Sequence, residues 1–249
     1  MMEISGLTDK GKVRTHNEDA WFADGAMGLL VVSDGMGSEE GGALAAEIVV
    51  KTLPEIIMQE GTNIANLNDP FAVDIISKQI VALNRNVFES SRGKVNLAGM
   101  GATMVMALVR GDRAMIAHMG DSRAYLYRDD YLLALTKDHS VIRLLLDAGE
   151  ITEEEVASHP ARGKITRFIG MEDDVPPDIS LIHLENGDRI LLCSDGLTSM
   201  LGEKEIQEQL RKTVSPKAVC RYLVDAANMA GGKDNITAVL ADWRIDAAE

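Results

Sequence analysis

The sequence predicts an α+β fold built in layers. Strand-like apolar stretches cluster between residues 102 and 135, and helix-spaced apolar residues fall in separate blocks, so strict strand–helix alternation is absent. Some strand-like runs are apolar at every position, which predicts burial on both faces. No linker, repeat period or low-complexity tract divides the 249 residues, so one domain is expected over 1–249.

Ile4 to Leu7 reads as a short strand, with a turn over Thr8 to Lys12. Val13 to Asp19 then carries Arg14, Glu18 and Asp19. Trp21 and Phe22 open a second strand, Gly25 marks a turn, and Gly28 to Asp34 is a third. A hairpin here would bring Arg14, Glu18 and Asp19 near Asp34. Leu44, Ile48, Val49 and Leu53 have helical spacing, and Pro54 follows. Gly61 to Asp69 is polar loop. Asp69 caps the next helix, Pro70 lies in its first turn, and Ile76, Ile80, Leu83 and Val87 form its apolar face.

Strands are expected at Ala102–Val109, Ala114–Met119, Ala124–Tyr127 and Tyr131–Leu135, as an antiparallel meander. Asp138-His139-Ser140 precedes a helix through Leu146 that Gly149 closes, with His139 as a helix-start residue. Glu150 to Gly170 is polar and irregular. Ile179–Leu184 and Arg189–Ser194 are expected to form a hairpin across Asn186-Gly187-Asp188. Glu203–Lys212 and Pro216–Met229 read as helices, and Ile236–Trp243 as the last strand.

Four aspartates sit at the ends of such stretches. Leu29 to Val32 runs through Ser33 into Asp34 and Gly35. Ile190 to Gly196 repeats that pattern and ends on Asp195. Asp121 closes a third apolar stretch, and Asp234 precedes the last strand. A single Asp-Gly is usually a turn. Strands that share one core, however, bring their acidic ends together, and carboxylates in contact repel unless cations neutralise them. The sequence has neither the Cys–His spacing of a zinc site nor an EF-hand loop. Hard oxygen ligands suit Mg²⁺ or Mn²⁺, and paired ions of that kind activate water for phosphoryl transfer. Arg14 beside such a cluster is placed to grip phosphate oxygens.

Composition narrows the classes further. A formal charge of −14 argues against nucleic acid or an anionic membrane as partner. No apolar run approaches a membrane span, and the first residues lack the pattern of a signal peptide, so a cytoplasmic location is expected. Cys193 and Cys220 read as structural residues of a reducing compartment.

Arg14 to Asp19, Val32 to Gly37, Gly101-Ala102-Thr103, Gly120 to Arg123, Ile165-Thr166-Arg167, Leu192 to Gly196 and Gly232 to Thr237 together resemble the metal-dependent Ser/Thr protein phosphatases of type 2C, the PPM family, in its compact bacterial form. The resemblance covers nearly the whole chain. It implies a four-layer αββα sandwich, two antiparallel sheets flanked by helix pairs. It implies a hydrolase that cleaves phosphoserine and phosphothreonine by direct attack of a metal-bridging hydroxide. It also implies a monomer that opposes a bacterial Ser/Thr kinase on phosphoprotein substrates.

By the same resemblance Asp34 bridges two Mn²⁺ or Mg²⁺ ions, and the Gly35 carbonyl binds one of them. Asp195 and Asp234 complete the first ion's ligands. Asp121, with Asp195, holds a weaker third ion. Glu18 and Asp19 act through metal-bound waters, Arg14 binds the phosphate, and residues of about 150–170 form a mobile flap.

The chain departs from the family at one place. Some members carry a histidine directly after the Asp-Gly pair, and many bacterial members carry one at the end of Asp-Gly-Met-Gly-Gly-His. Here Met36 and Glu39 stand at those positions. The proton for the leaving group is then expected from a metal-bound water. His118 reads as a core residue, and His16, His159 and His183 as exposed ones. A regulatory binding protein with a degenerate phosphatase fold is one rival reading, and the presence of Asp34 and Asp234 weighs against it. A specialised phosphatase that resets a regulator of transcription is a second, and the 249 residues leave no room for the sensory domain such proteins usually carry.

Overall fold

The computed structural model describes residues 2–156 and 158–244. Its first strands are β1 (Met2–Asp9), β2 (Asp19–Asp24) and β3 (Leu29–Met36). Helices α1 (Glu39–Gln59) and α2 (Pro70–Ser91) follow. Then come β4 (Gly101–Ala102), β5 (Met104–Arg110), β6 (Arg113–Met119), β7 (Arg123–Arg128) and β8 (Tyr131–Ala134). Two short helices, α3 (Val141–Asp147) and α4 (Glu153–Val156), precede β9 (Asp178–His183) and β10 (Arg189–Cys193). Helices α5 (Asp195–Thr198), α6 (Glu203–Leu210) and α7 (Pro216–Met229) lead to β11 (Ile236–Trp243).

The strands form two antiparallel sheets. One runs β1-β11-β10-β7-β8; the other runs β2-β3-β5-β6-β9, with β4 paired to β3. Side-chain alternation turns these into four layers. On β3, Leu29 and Val31 pack with α1 and α2, while Leu30 and Val32 face the other sheet. On β10, Leu191 and Cys193 pack with α6 and α7, while Ile190 and Leu192 face inward. The expected αββα sandwich is therefore present, and its middle strands are apolar throughout because both faces are buried.

Most of the expected elements are found, with two corrections to strand pairing. The meander is not one sheet: β5 and β6 pair in one sheet, β7 and β8 in the other. The free edge of β6 is taken by β9, and β7 pairs with β10. The chain changes sheets across Gly120-Asp121-Ser122, where Gly120 takes φ +112°. A Cβ on Gly120 would lie 2.6 Å from the Thr103 side chain, so this crossing needs glycine. The hairpin across Asn186-Gly187-Asp188 is also absent, because β9 and β10 belong to different sheets. There Asp188 accepts from Glu185 N–H at 2.7 Å and holds Arg128 from β7, which ties the crossing down.

Helix α1 continues through Pro54 to Gln59. Proline removes one helical hydrogen bond, and the burial of Ile56 and Ile57 beyond it offsets that loss. Asp138-His139-Ser140 precedes α3 as expected; Ser140 caps it, accepting from Arg143 N–H, and His139 is buried. Asp69 caps α2 as expected, accepting from Phe71 N–H at 2.9 Å.

Close backbone approach at one end of the sandwich constrains the fold most tightly. A Cβ on Gly35 would lie 2.1 Å from the Gly42 carbonyl oxygen and 2.8 Å from that of Glu18. Gly35→Ala is therefore expected to force β3, α1 and the Glu18 loop apart, at a cost of about 1–3 kcal/mol. A urea unfolding midpoint unchanged from the parent would show that this packing is not a constraint.

Candidate metal centre

The next inward position after each apolar run is where the chemistry collects. Two residues beyond Val32 comes Asp34; two beyond Leu192 comes Ser194; two before Val239 comes Thr237; two before Val105 comes Thr103. Asp19 on β2 lies directly opposite Asp34 on β3. Asp195 begins α5 at once after β10, Asp234 lies just before β11, and Asp121 sits on the crossing between the sheets. All of these belong to one end of the inter-sheet core.

A cleft of about 310 Å³ opens there. Its lining includes Arg14, Glu18, Asp34, Gly35, Asp121, Asp195 and Asp234. The structure thus gathers every expected site residue except Asp19 at one surface. Asp19 is buried, and one of its two carboxylate oxygens is held by protein donors. Its Oδ2 accepts from Ser194 Oγ at 2.7 Å and from Thr237 Oγ1 at 2.6 Å. Thr8 Oγ1 stands 2.7 Å from Thr237 Oγ1, and Asn17 donates to Thr8 at 2.9 Å.

Hydroxyls hold Asp34 as well. Asp34 N–H donates to Thr103 Oγ1 at 2.9 Å, and Thr103 N–H donates to the Asp34 carbonyl at 2.8 Å. Ser33 Oγ donates to the Thr103 carbonyl at 2.6 Å. Asn235 fixes the Arg14 loop. Its amide donates to the carbonyls of Lys10 and His16 at 2.9 Å, and its Oδ1 accepts from Glu18 N–H at 2.8 Å. The adjacent Asp234 accepts from Asn235 N–H and from Arg14 Nη2, each at 2.8 Å.

Thr103, Ser194, Thr237 and Asn235 were not singled out by residue-level reasoning. The signal available was a lone hydroxyl at the end of each apolar run. It is weak because serine and threonine also end strands as plain turn formers.

The carboxylates repel one another. Burial raises the Asp34 pKa well above its ordinary value, and Asp19, Asp195, Asp121 and Asp234 add to the rise. Burial pushes Asp19 up to about 7 against the pull of its hydroxyl donors, with Asp195 and Asp234 raising it further. Asp121 is likewise pushed to about 7 by burial, Asp195 and Asp138. Asp195 is raised by burial and Asp234, although a hydrogen bond with Asp34 pulls the other way. Burial also raises Glu18. Among the described residues, Arg14 is the only cation lining the cleft.

Divalent cations fit this arrangement. The donors are carboxylate and carbonyl oxygens, which are hard ligands. Asp19 Oδ1 is buried without a hydrogen-bond partner among the described residues, as expected for an acceptor whose partner is an ion or its water. The buried excess of negative charge also needs compensation.

Met36 lines the cleft, and Glu39 is the first residue of α1. Glu39 is half-exposed and its carboxylate contacts His16 Nδ1, so His16, expected to be merely exposed, has a partner. His118 is buried, as expected of a core residue.

A two-sheet sandwich with strand ends that gather carboxylates around one arginine defines a class of divalent-cation centre. Comparison with known proteins gives the family. The model of the family described as protein phosphatase 2C matches residues 10–243. The serine/threonine phosphatase stp of Listeria innocua is 35% identical over 246 residues, 97% of this chain and 96% of that protein. The protein phosphatase PhpP of Streptococcus pneumoniae is 35% identical over 251 residues, covering 100% of both. The catalytic domain of the serine/threonine protein phosphatase PstP, solved with two manganese ions, superposes with a TM-score of 0.84 at 31% identity, covering 98% of this chain and 99% of that one. The chain belongs to the protein phosphatase 2C family.

The raised carboxyl pKa values fix a sign. A carboxyl group with a folded-state pKa above its unfolded value stabilises the fold at low pH and loses that contribution as pH rises through the folded pKa. For Asp19 and Asp121 the loss runs from about pH 4 to beyond pH 7. Metal-free protein is thus expected to melt at a lower temperature at pH 8 than at pH 5.5, with Mn²⁺ closing the difference. Calorimetric scans in EDTA and in Mn²⁺ check this, and a metal-free protein that melts higher at pH 8 contradicts it.

Proposed function

We propose that this protein is a metal-dependent phosphatase of phosphoserine and phosphothreonine in proteins, and that the acidic cleft is its active site. The single observation that carries the site assignment is the convergence of Asp34, Asp121, Asp195 and Asp234 at one end of the inter-sheet core. The activity class is that of the family and of its full-length relatives.

Asp34, the Gly35 carbonyl, Asp195 and Asp234 would hold two Mn²⁺ or Mg²⁺ ions, Asp121 with Asp195 would hold a weaker third, and Glu18 and Asp19 would act through water. Cations held there would supply the positive charge that makes a water acidic and neutralises the phosphoryl oxygens. Arg14 extends over the cleft, half-exposed, with one Nη on Asp234. Its remaining N–H groups face the phosphate oxygens and orient them.

Neither cysteine, nor the Thr103 hydroxyl that lines the cleft, is set up as a covalent nucleophile. Cys193 and Cys220 are buried, and burial pushes each thiol up to about 12. Thr103 is committed to Asp34 N–H and to Ser122 Oγ at 2.6 Å. Direct attack by water on phosphorus, without a phosphoenzyme, agrees with both facts.

The remaining features are carried by family resemblance. The chain is one domain, with a flap over about 150–170 that includes α4. It acts as a cytoplasmic monomer on phosphoproteins and opposes a Ser/Thr kinase. No helix among the described residues is long and apolar enough to cross a membrane.

Asp34→Asn is expected to lower kcat/KM on a phosphothreonine peptide by about three orders of magnitude. Arg14→Ala is expected to lower it by roughly tenfold to a hundredfold, with Mn²⁺ affinity unchanged in calorimetry. Full turnover in EDTA-treated protein would sink the proposed function. Loss of Mn²⁺ binding in Arg14→Ala would make that residue structural.

A serine alkoxide needs a proton as it leaves, and p-nitrophenolate does not. Glu39 is half-exposed and paired with His16, so the proton comes from a water of the cleft. Glu39→Gln should leave phosphopeptide turnover nearly unchanged. A large loss confined to phosphopeptide, with p-nitrophenyl phosphate unaffected, would identify Glu39 as the acid.

A further inference from the structure

His118 on β6, His139 before α3 and Asp178 at the start of β9 stand together outside the acidic cleft. Their potential ligand atoms lie within 4.8 Å of one another. Two imidazoles and a carboxylate are a fair set for a zinc-like ion. The hydrogen bonds that the two rings already make compete with that use. Gly120 N–H can only donate, and it donates to His139 Nδ1 at 3.2 Å. In a neutral imidazole the proton is then on Nε2, which faces Asp178 Oδ2 at 3.1 Å. That nitrogen has no lone pair left for a cation. Burial keeps the His139 pKa below its ordinary value, opposed by Asp178 and assisted by His118, so the ring is neutral near pH 7.

We propose that His139 is a positioning residue that clamps the backbone carrying Asp121, with its tautomer set by Asp178 and Arg167. The inference rests on the reading of Asp121 as a cation ligand. The clamp has two points. His139 N–H donates to the Gly120 carbonyl at 2.9 Å, while its Nδ1 accepts from Gly120 N–H. Both peptide groups of Gly120 are therefore held, and the second contains the Asp121 nitrogen. The ring of His118 stacks on His139 with centroids 4.4 Å apart, and His118 Nε2 donates to the Lys137 carbonyl at 2.9 Å.

The outer end of the network is equally directional. Asp178 Oδ1 accepts from Arg167 Nη1 at 2.8 Å, and Thr166 N–H donates to the His139 carbonyl at 2.7 Å. Arg167 donates to Asp178, His139 donates to Asp178, and Gly120 donates to His139. Each donor finds an acceptor only in this tautomer. The Ile165-Thr166-Arg167 stretch and the Asp121 crossing are thus set by the same hydrogen bonds.

Asp178→Asn tests the direction. An asparagine that turns its oxygen to His139 points its amide at Arg167, donor against donor. Turned the other way, it donates to Nε2, moves the proton to Nδ1 and confronts Gly120 N–H. Asp178 is half-exposed, so the substitution spares the core. His139→Asn keeps an acceptor near the Nδ1 position and needs nothing from Asp178. His139→Gln reaches Asp178 but leaves Gly120 without an acceptor.

The first readout is nitrogen NMR of the His139 ring and the Gly120 amide in metal-free protein. The parent is expected to carry its proton on Nε2, and Asp178→Asn to shift both the ring and the Gly120 signals. The second readout is kcat/KM on a phosphothreonine peptide in Mn²⁺. Asp178→Asn and His139→Gln are expected to lose about fivefold to tenfold, the worth of one hydrogen bond. His139→Asn should keep the larger part of the parent's turnover, and Asp178→Asn should cost nothing further in the His139→Asn background.

A parent ring protonated on Nδ1 would overturn the proposal, as would an Asp178→Asn loss of equal size in both backgrounds. So would stoichiometric Zn²⁺ shifting both histidine rings, which would make the cluster a metal site. If Asp121→Ala leaves Mn²⁺ binding and turnover unchanged, the ligand role of Asp121 fails. The ring tautomer and the Gly120 shift still decide the clamp on their own.

Discussion

The fold holds like charges together, and everything near the cleft answers to that. Asp19 and Asp34 face each other across neighbouring strands, an arrangement that by itself destabilises a sheet. Asp195, Asp121 and Asp234 raise the Asp34 pKa still further. Two features of the chain lower the cost. Ser194 and Thr237 donate to Asp19, and Arg14 pairs with Asp234. The orphaned Asp19 Oδ1 marks where protein donors stop and a cation is needed. A protein that spends stability at a site in this way gains a preorganised charge environment for catalysis.

The four-layer architecture explains why the acids meet. In a strand buried on both faces, one set of alternate residues belongs to the helix-side core and the other to the inter-sheet core. Where the inter-sheet set runs out of apolar residues, it continues as Asp34, Thr103, Ser194 and Thr237. Two glycines let this end close up. Gly35 admits the backbones of Gly42 and Glu18, and a Cβ on Gly196 would lie 1.8 Å from the Asn235 carbonyl oxygen. Each of these glycines directly follows one of the aspartates, Asp34 and Asp195. In the structure they make room for neighbouring backbone, which holds the aspartates in place.

Much of this was legible in the sequence because it is local. Apolar runs that end on an acid mark β3 and β10, and Asp69-Pro70 marks the start of α2. Pairing was less legible. Adjacent strands joined by a short turn usually pair, yet β6 and β7 part into different sheets, and so do β9 and β10. Nothing in the turns Gly120 to Ser122 or Asn186 to Asp188 announces this. The partner is chosen by which edge is free, and only the assembled sheets define that. The burial of His139 was illegible for a related reason. Its neighbours Gly120, His118 and Asp178 are distant in sequence, so its burial has no local signal.

The departure at Met36 and Glu39 sits at the rim of this arrangement and not in its core. The carboxylates, the glycines and the hydroxyls that hold them do not depend on a histidine at either position. Glu39 begins α1, where a carboxylate is favoured by the helix N-terminus, and it contacts His16 from the Arg14 loop. Both groups are exposed enough that the pair adds little to stability. It joins the first turn of α1 to the loop that Asn235 fixes from the other side. The position that in other members offers a histidine is therefore occupied here by a contact between two elements of the site's wall. On the proposed function, proton delivery to the leaving oxygen falls to water, while Arg14 and the buried aspartates keep the roles of holding the phosphoryl group and the cations.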